Sequence, residues 1–400
     1  MGRIRAFVQD DIPRVAELNW QFLQRQTGPH PPGLEEYLRQ VFFQNPWFDS
    51  SIGSLVYEEG HRVVGFLGIV PRPMSVNGKP IQAAFGSSLV VHPESRWTLP
   101  GPQLLAAFMN GKQDLAMTDT ASELSQQIWT ELGGSTSAAH SLQWARPLRP
   151  SSYALYAMSR FGREGTSGVG GRARRLLHKT VNAVAARIPL RRLRRPPGGA
   201  TEEELGIDTL LDSCLPVCSA GYSLRPEYNR ESLGWLLDFM SRMKAYGNLR
   251  KVVLRGATKE IIGWFIYYAK RGGIADVVQI GATELHMKTV FDHLLCDAWN
   301  HGAIGLHGRL EIRNAQELSE SRCFFWGTIP LLFYARNTEL ARLVQQGDAF
   351  LSRLDGEWCL KFGASGQKPT GGKELSLEPR GTAAPSDFQP SQALQPRSVK

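Results

Sequence analysis

The chain has 400 residues, 42% hydrophobic and 21% charged, a balance that suits a globular protein with a sizeable core and argues against wholesale disorder. No apolar stretch approaches the roughly 18 to 20 residues of a membrane-spanning helix, and the polar start MGRIRAFVQDD lacks the apolar middle of a secretory signal, so a cytoplasmic protein is expected. Cys214, Cys218, Cys296, Cys323 and Cys359 are odd in number and show no CxxC spacing, which points to small buried thiols rather than a disulfide framework or a zinc site.

Taken in chain order, IRAF reads as a short strand, and Asp-Asp-Ile-Pro leads into the amphipathic helix IPRVAELNWQFL, where Pro13 suits a first turn. A second helix, LEEYLRQVFF, follows a Pro/Gly-rich loop. Residues 54–93 then read as three or four strands, with Asn77-Gly78 marking a tight hairpin. A helix PQLLAAFMN, a strand DLAMTDT, a helix ASELSQQIWTELGG and a strand-like SLQWARPL complete a first domain over 1–150.

Residues 151–205 read as a basic Gly/Pro/Arg-rich linker, with eleven Arg and Lys side chains between 160 and 195 that exceed the whole net charge of +9. Leu176, Leu177, Val181, Val184 and Ile188 recur there at near-helical spacing. Three readings follow: a connecting helix with solvated charges, an amphipathic helix on an anionic inner-leaflet membrane through residues 172–195, and nucleic-acid binding. The last lacks interleaved aromatics and any accompanying binding motif.

A second domain over 206–362 repeats the order of the first: helix RESLGWLLDFMSRMKAYG, strands KVVLRG, EIIGWFIYYAKRG and IADVVQIGA, helix LHMKTVFDHLLCDAWNHG and strand AIGLHGRL. A short helix near Ala315, the run FFWGTIPLLFYA, a helix NTELARLVQQG and FLSRLDGEWCL follow. Residues 363–400, rich in Gly, Pro, Ser, Gln and Thr, read as a disordered tail.

The order is α/β (α+β), two domains each with a mixed, mostly antiparallel sheet flanked by helices, and it resembles the GNAT (acyl-CoA N-acyltransferase) superfamily. In that family a strand ends in V-x-P-x-x-R-G-x-G-x-G-x-x-L-L, whose N–H groups and following helix hold the acyl-CoA pyrophosphate. Val91, Pro93, Arg96, Gly101, Leu104 and Leu105 match without a gap. Trp97 and Leu99 replace two glycines, and Pro100 and Pro102 remove two N–H donors, so phosphate binding there is expected to be weakened or lost. A second family pattern, N-x-x-A-x-x-L-Y-x-x-x-G-F, meets Ser122 and Trp129, and an indole cannot serve as the acid that the family's Tyr supplies. The whole of 1–362 is also similar to tandem GNAT-type proteins of bacterial glycan-biosynthesis clusters, in which a late L-D-G-E-W like Leu354–Trp358 recurs.

That resemblance implies acyl transfer from acetyl-CoA or a longer acyl-CoA to an amine or hydroxyl of a small-molecule or glycan acceptor, with Val91, Arg96 and Gly101 at the donor. In the second domain Gly281 and the amides of Thr283 and Glu284 can cradle an anion at a helix start, or simply form a strand-to-helix junction. His92 and Asp119, each at a strand end, are candidate bases, or a capping and a structural residue. Asp355 and Glu357 would share a face of a strand and raise one another's pKa, or Asp355-Gly356 is a turn and Glu357 pairs with a basic neighbour. His307 and Arg309 alternate on one strand and can bind an acidic or sugar substrate, or pair with local carboxylates. No H-E-x-x-H and no strand-borne GxGxxG supports metal or nicotinamide chemistry. The alternative to an enzyme is a binding or assembly protein that has kept the fold and lost its cofactor loop.

Overall fold

A computed structural model describes residues 2–161, 198–283, 286–327 and 329–362. The expected helix at 172–195, the tail at 363–400 and the amide of Glu284 lie outside the described residues.

Fifteen strands form two sheets among the described residues. In chain order they are β1 Arg3–Ala6, β2 Leu55–Glu59, β3 Arg62–Val76, β4 Lys79–Val91, β5 Leu115–Thr118, β6 Ser135–Ser137, β7 Leu142–Pro147, β8 Thr201–Glu204, β9 Leu224–Pro226, β10 Asn248–Arg255, β11 Ile261–Ala269, β12 Ile274–Ala282, β13 Gly305–Arg309, β14 Phe324–Gly327 and β15 Leu331–Ala335. The first sheet runs β1-β2-β3-β4-β5-β15-β6, with β9 added beside β3; the second runs β8-β10-β11-β12-β13-β7-β14. Each is a mixed sheet whose one parallel pair, β4·β5 or β12·β13, is joined through a covering helix, Pro100–Met109 or Met287–Asn300. This is the α/β class expected.

The two strand orders are the same apart from an exchange. β7, from the first half of the chain, pairs with β13 and β14; β15, from the second half, pairs with β5 and β6. The sheets therefore cross the boundary drawn at residue 150, because β7 leaves its own half to complete the other sheet.

Local chemistry accounts for the elements. Asn77 and Gly78 both adopt positive φ, 50° and 78°, the geometry of the two-residue turn that matches strand twist, and they join β3 to β4 as the sequence predicts. Asn229 caps the helix Arg230–Ser241 through its side chain and the amide of Ser232 at 2.8 Å. Val63, Phe66 and Val70 of β3 and Trp264, Ile266 and Tyr268 of β11 belong to one core, which also takes in the helices Ile12–Leu18, Pro32–Phe42 and Arg230–Ser241. Pro100–Met109 and Met287–Asn300 cover separate cores on their own sheets.

Both sheets carry an irregularity at the same place. The β3·β4 register slips between Phe66 and Gly68, leaving Ser88 and Leu89 outside the ladder, with Ser88 at φ 54°. The β11·β12 register slips between Ile266 and Tyr267. A bulge bends the strand and takes backbone groups out of the ladder, a device frequent beside active sites.

Candidate active site

Parallel strands of an α/β sheet present ligand sites at their carboxyl ends, and here the ends of β5 and β13 meet. Asp119 is four residues beyond Leu115, which pairs with Ala83 of β4; Arg309 is four beyond Gly305, which pairs with Ile274 of β12. These two equivalent positions form an ion pair at 2.7 Å, with Asp119 fully buried and the Arg309 side chain 5% exposed. A pair removed from water to this degree is stable only if its remaining hydrogen bonds are made.

The segment Phe350–Leu360 supplies many of them. It is buried along its length although it carries Ser352, Arg353, Asp355 and Glu357, so every polar group in it needs a partner. Glu357 donates its amide to Asp119 Oδ1 at 3.2 Å, and its carboxylate accepts from Thr118 Oγ1 at 3.3 Å and from the Thr120 hydroxyl. Asp355 accepts from Ser352 N at 2.6 Å, Ser352 Oγ at 2.7 Å and Tyr228 OH at 2.6 Å. Arg353 reaches the second sheet, donating to Gln143 Oε1 of β7 at 2.8 Å and Asp276 Oδ1 of β12 at 3.3 Å. Arg72 of β3 donates to the Asp355 carbonyl at 3.1 Å and lies over the Trp47 ring at 3.8 Å.

Gly356 fixes the arrangement. A Cβ there would strike the Asp119 carboxylate, so only glycine lets that carboxylate sit against the segment. The segment is a turn followed by the short helix Glu357–Leu360, not a strand. Asp355 and Glu357 consequently belong to different clusters. Asp355 is committed to Tyr228 and Ser352, while Glu357 faces Asp119 and two threonine hydroxyls.

Burial, and then the charge of Asp119, push the Glu357 carboxyl up to about 8. Burial also raises Asp355, against its bonds from Tyr228 and Ser352. His307 is pushed down to about 4 by burial; its Nε2 pairs with Tyr153 OH at 2.8 Å and its ring packs on Trp326. Gln143, which faces Arg309 directly across β7·β13, has an unpaired buried amide nitrogen, and the guanidinium Nε of Arg309 is likewise buried and unpaired. Both donors lie in the cluster around Asp119 and Glu357 and have no acceptor among the described residues.

The other predicted residues stand apart from this cluster. His92 packs its ring on Phe22 at 4.9 Å, lies 3.8 Å from Glu94, and is lowered by burial. Val91 faces Gly101, where an added Cβ would lie 3.7 Å from Val91 Cγ2. Arg96 is exposed in the 3-10 turn Pro93–Thr98, which stands where the resemblance expected an open phosphate loop. At the next helix Pro100 and Pro102 lack N–H groups and Gln103 gives its amide to Leu99 O at 3.3 Å, so its first turn offers few donors to an anion. In the second sheet the Thr283 amide is bonded to Ile262 O at 3.0 Å, and Gly281 makes room for the Trp264 ring. Trp129 is a core residue whose indole donates to Phe333 O at 3.2 Å.

Gln143, Arg353, Arg72 and Tyr228 escaped sequence reasoning. Arg353 lies in FLSRLDGEWCL, where three charged residues and a serine are set among apolar ones without a helix or strand period, so no periodicity marks its burial.

No family model matches the sequence, and no curated protein sequence matches it. Solved structures do match. The architecture, two mixed sheets with flanking helices, is GNAT-like. It is similar to a GCN5-related N-acetyltransferase from Anabaena variabilis, with a TM-score of 0.54 and 12% identity over 84% of this chain and 74% of that one. It is also similar to Saccharomyces cerevisiae N-myristoyltransferase with bound myristoyl-CoA, with a TM-score of 0.50 and 13% identity over 83% of this chain and 77% of that one. At these identities the likeness is one of fold.

Proposed function

We propose that the chain is an acyltransferase that moves an acyl group from an acyl-CoA to an amine or hydroxyl acceptor, an amino sugar or other glycan precursor among them. The observation that carries the reading is the Asp119–Glu357 pair at the carboxyl end of β5, in a fold shared with N-acyltransferases. Glu357 in its carboxylate form takes a proton from the acceptor. The acceptor nitrogen or oxygen attacks the thioester carbonyl carbon, the C–S bond breaks, and the thiolate leaves and takes up a proton from water. Backbone N–H groups released by the β4 bulge at Ser88 and Leu89 are candidates to hold the developing oxyanion. Burial, and then the charge of Asp119 held by Arg309, keep the Glu357 carboxyl basic enough to serve near neutral pH.

The test is titration calorimetry of the purified chain with acetyl-CoA and longer acyl-CoAs, followed by thiol release with a panel of amines. Saturable binding and a kcat/KM that climbs as pH passes about 8, lost about 100-fold or more in Glu357→Gln, fit a general base of this kind. A folded chain that binds no acyl-CoA leaves the second reading, a binding or assembly protein on the same fold. The observation favouring that reading is the closed Pro93–Thr98 turn with Pro100 and Pro102 behind it.

A further inference from the structure

The turn that replaces the phosphate loop puts large apolar side chains into water. Trp97 is 92% exposed and Leu99 59%, and Leu99 is held outward in the left-handed region at φ 53° between Thr98 and Pro100. A non-glycine residue is seldom found there, and strain of this kind persists where the surroundings impose it. The turn is braced from below: Ser95 Oγ donates to Glu59 Oε2 at 2.9 Å, and Thr98 Oγ1 donates to Ser95 O at 2.8 Å and to the Glu59 carboxylate. The exposed indole therefore stands on a built support.

The ground around it is basic. Arg96 lies in the same turn. Arg62 opens β3 beside His92, whose amide donates to Val64 O at 2.7 Å, and Arg25 follows Phe22, whose ring packs on His92. All three arginines are exposed, and none has an ion-pair partner among the described residues. Glu94 is the exposed acid of the turn; Glu59 is taken by Ser95 and Thr98. Leu23, 40% exposed, adds an apolar side chain beside Phe22.

Exposed Trp and Leu set among unpaired arginines match the layered chemistry of a bilayer surface, where indoles settle at headgroup level and basic side chains meet anionic lipid. We propose that the Trp97–Leu99 turn, with Arg25, Arg62 and Arg96, is a membrane-docking tip that inserts into the interface of an anionic bilayer. This surface is independent of the acyl-transfer reading, and it seats the carboxyl end of β4 against the lipid.

The experiment is sedimentation of the full chain with phosphatidylcholine vesicles, with and without phosphatidylglycerol, for the natural sequence and for Trp97→Ala and Leu99→Ala. Because both side chains face water, the variants should melt where the parent does, and melting curves check this. Burial of side chains this size predicts that each substitution weakens binding to anionic vesicles about tenfold, and that added salt weakens it further. Acyl-chain-brominated lipid should quench part of the parent's fluorescence, and Trp97→Phe should remove that part.

Binding that is unchanged in both variants overturns the proposal and leaves residues 172–195 as the expected lipid contact. Absence of vesicle binding overturns it as well, and a dimer in the parent that Trp97→Ala dissolves would assign the tip to a second copy of the chain.

Discussion

The two strand-to-helix junctions at the carboxyl ends of β4 and β12 occupy equivalent places in equivalent sheets, yet they have been closed in different ways. After β4 the chain makes a 3-10 turn stiffened by Pro93 and continues into a helix with prolines at its first and third positions. After β12 the Thr283 amide and hydroxyl both go to Ile262 O, and Gly281 yields its side-chain space to Trp264. In the first junction donors are missing from the covalent structure; in the second the donors of Thr283 are present and already bonded. The buried charged groups lie instead where the sheets meet, at Asp119, Arg309 and the segment ending in Leu360.

That contrast can be broken most forcefully at the ion pair. Arg309→Met leaves Asp119 buried without its cation, and a loss of about 3 to 5 kcal/mol is expected, measured by urea unfolding. A matching double variant, Arg309→Met with Asp119→Leu, should recover much of that loss, because no charge is then stranded.

Glycines test the same contrast at the two places. Gly356→Ala drives a methyl into the Asp119 carboxylate and should cost about 3 kcal/mol, whereas Gly101→Ala meets only Val91 Cγ2 at 3.7 Å and should stay within about 1 kcal/mol of the parent. Equal effects would mean that the central segment has room to move.

A gradual effect is expected from pH. Glu357 and Glu311 are both raised to about 8, by burial first and then by Asp119 and Asp355 respectively. A carboxyl with a raised folded pKa binds more protons folded than unfolded, so its contribution is complete below about 4.5 and is lost as pH rises through 8. His140 and His307, pushed down to about 4 by burial, act oppositely, and their contribution is lost as pH falls from 6.5 through 4. Stability should therefore be nearly level from about pH 4.5 to 6.5 and decline towards 8, and Glu357→Gln should make that decline shallower by up to about 1.4 kcal/mol per pH unit. The smallest expected change is in Pro102→Ala, which returns one N–H to the helix after β4; a Kd for acetyl-CoA tightened by less than about tenfold would show that the donor phosphates still visit this turn.

Element by element, much of this was legible. Asn77-Gly78, Pro13 and the helix Met287–Asn300 act through neighbours a few residues away, and sequence spacing reports such neighbours directly. The exchange of β7 and β15 was not legible, because SLQWARPL reads as a strand without saying which sheet it joins. The charged residues show the same division. Asp119, Arg309 and Glu357 can be named singly, and Asp355-Gly356 reads as a turn, as the structure has it; but neither a strand-borne pair with Asp355 nor a basic neighbour finds the partner of Glu357, which is Asp119, 238 positions away. A segment buried on every side has no period to betray its contacts.

The exchange of β7 and β15 also bears on how this chain can change over evolutionary time. Two sheets that each kept all their own strands could drift, be lost or be recombined separately. Here Leu332 pairs with Thr118 and Gln143 pairs with Arg309, so each sheet is finished by the other's half of the gene. Neither half can be deleted or replaced without opening an unpaired edge in the one that remains, and the two are inherited as one indivisible part.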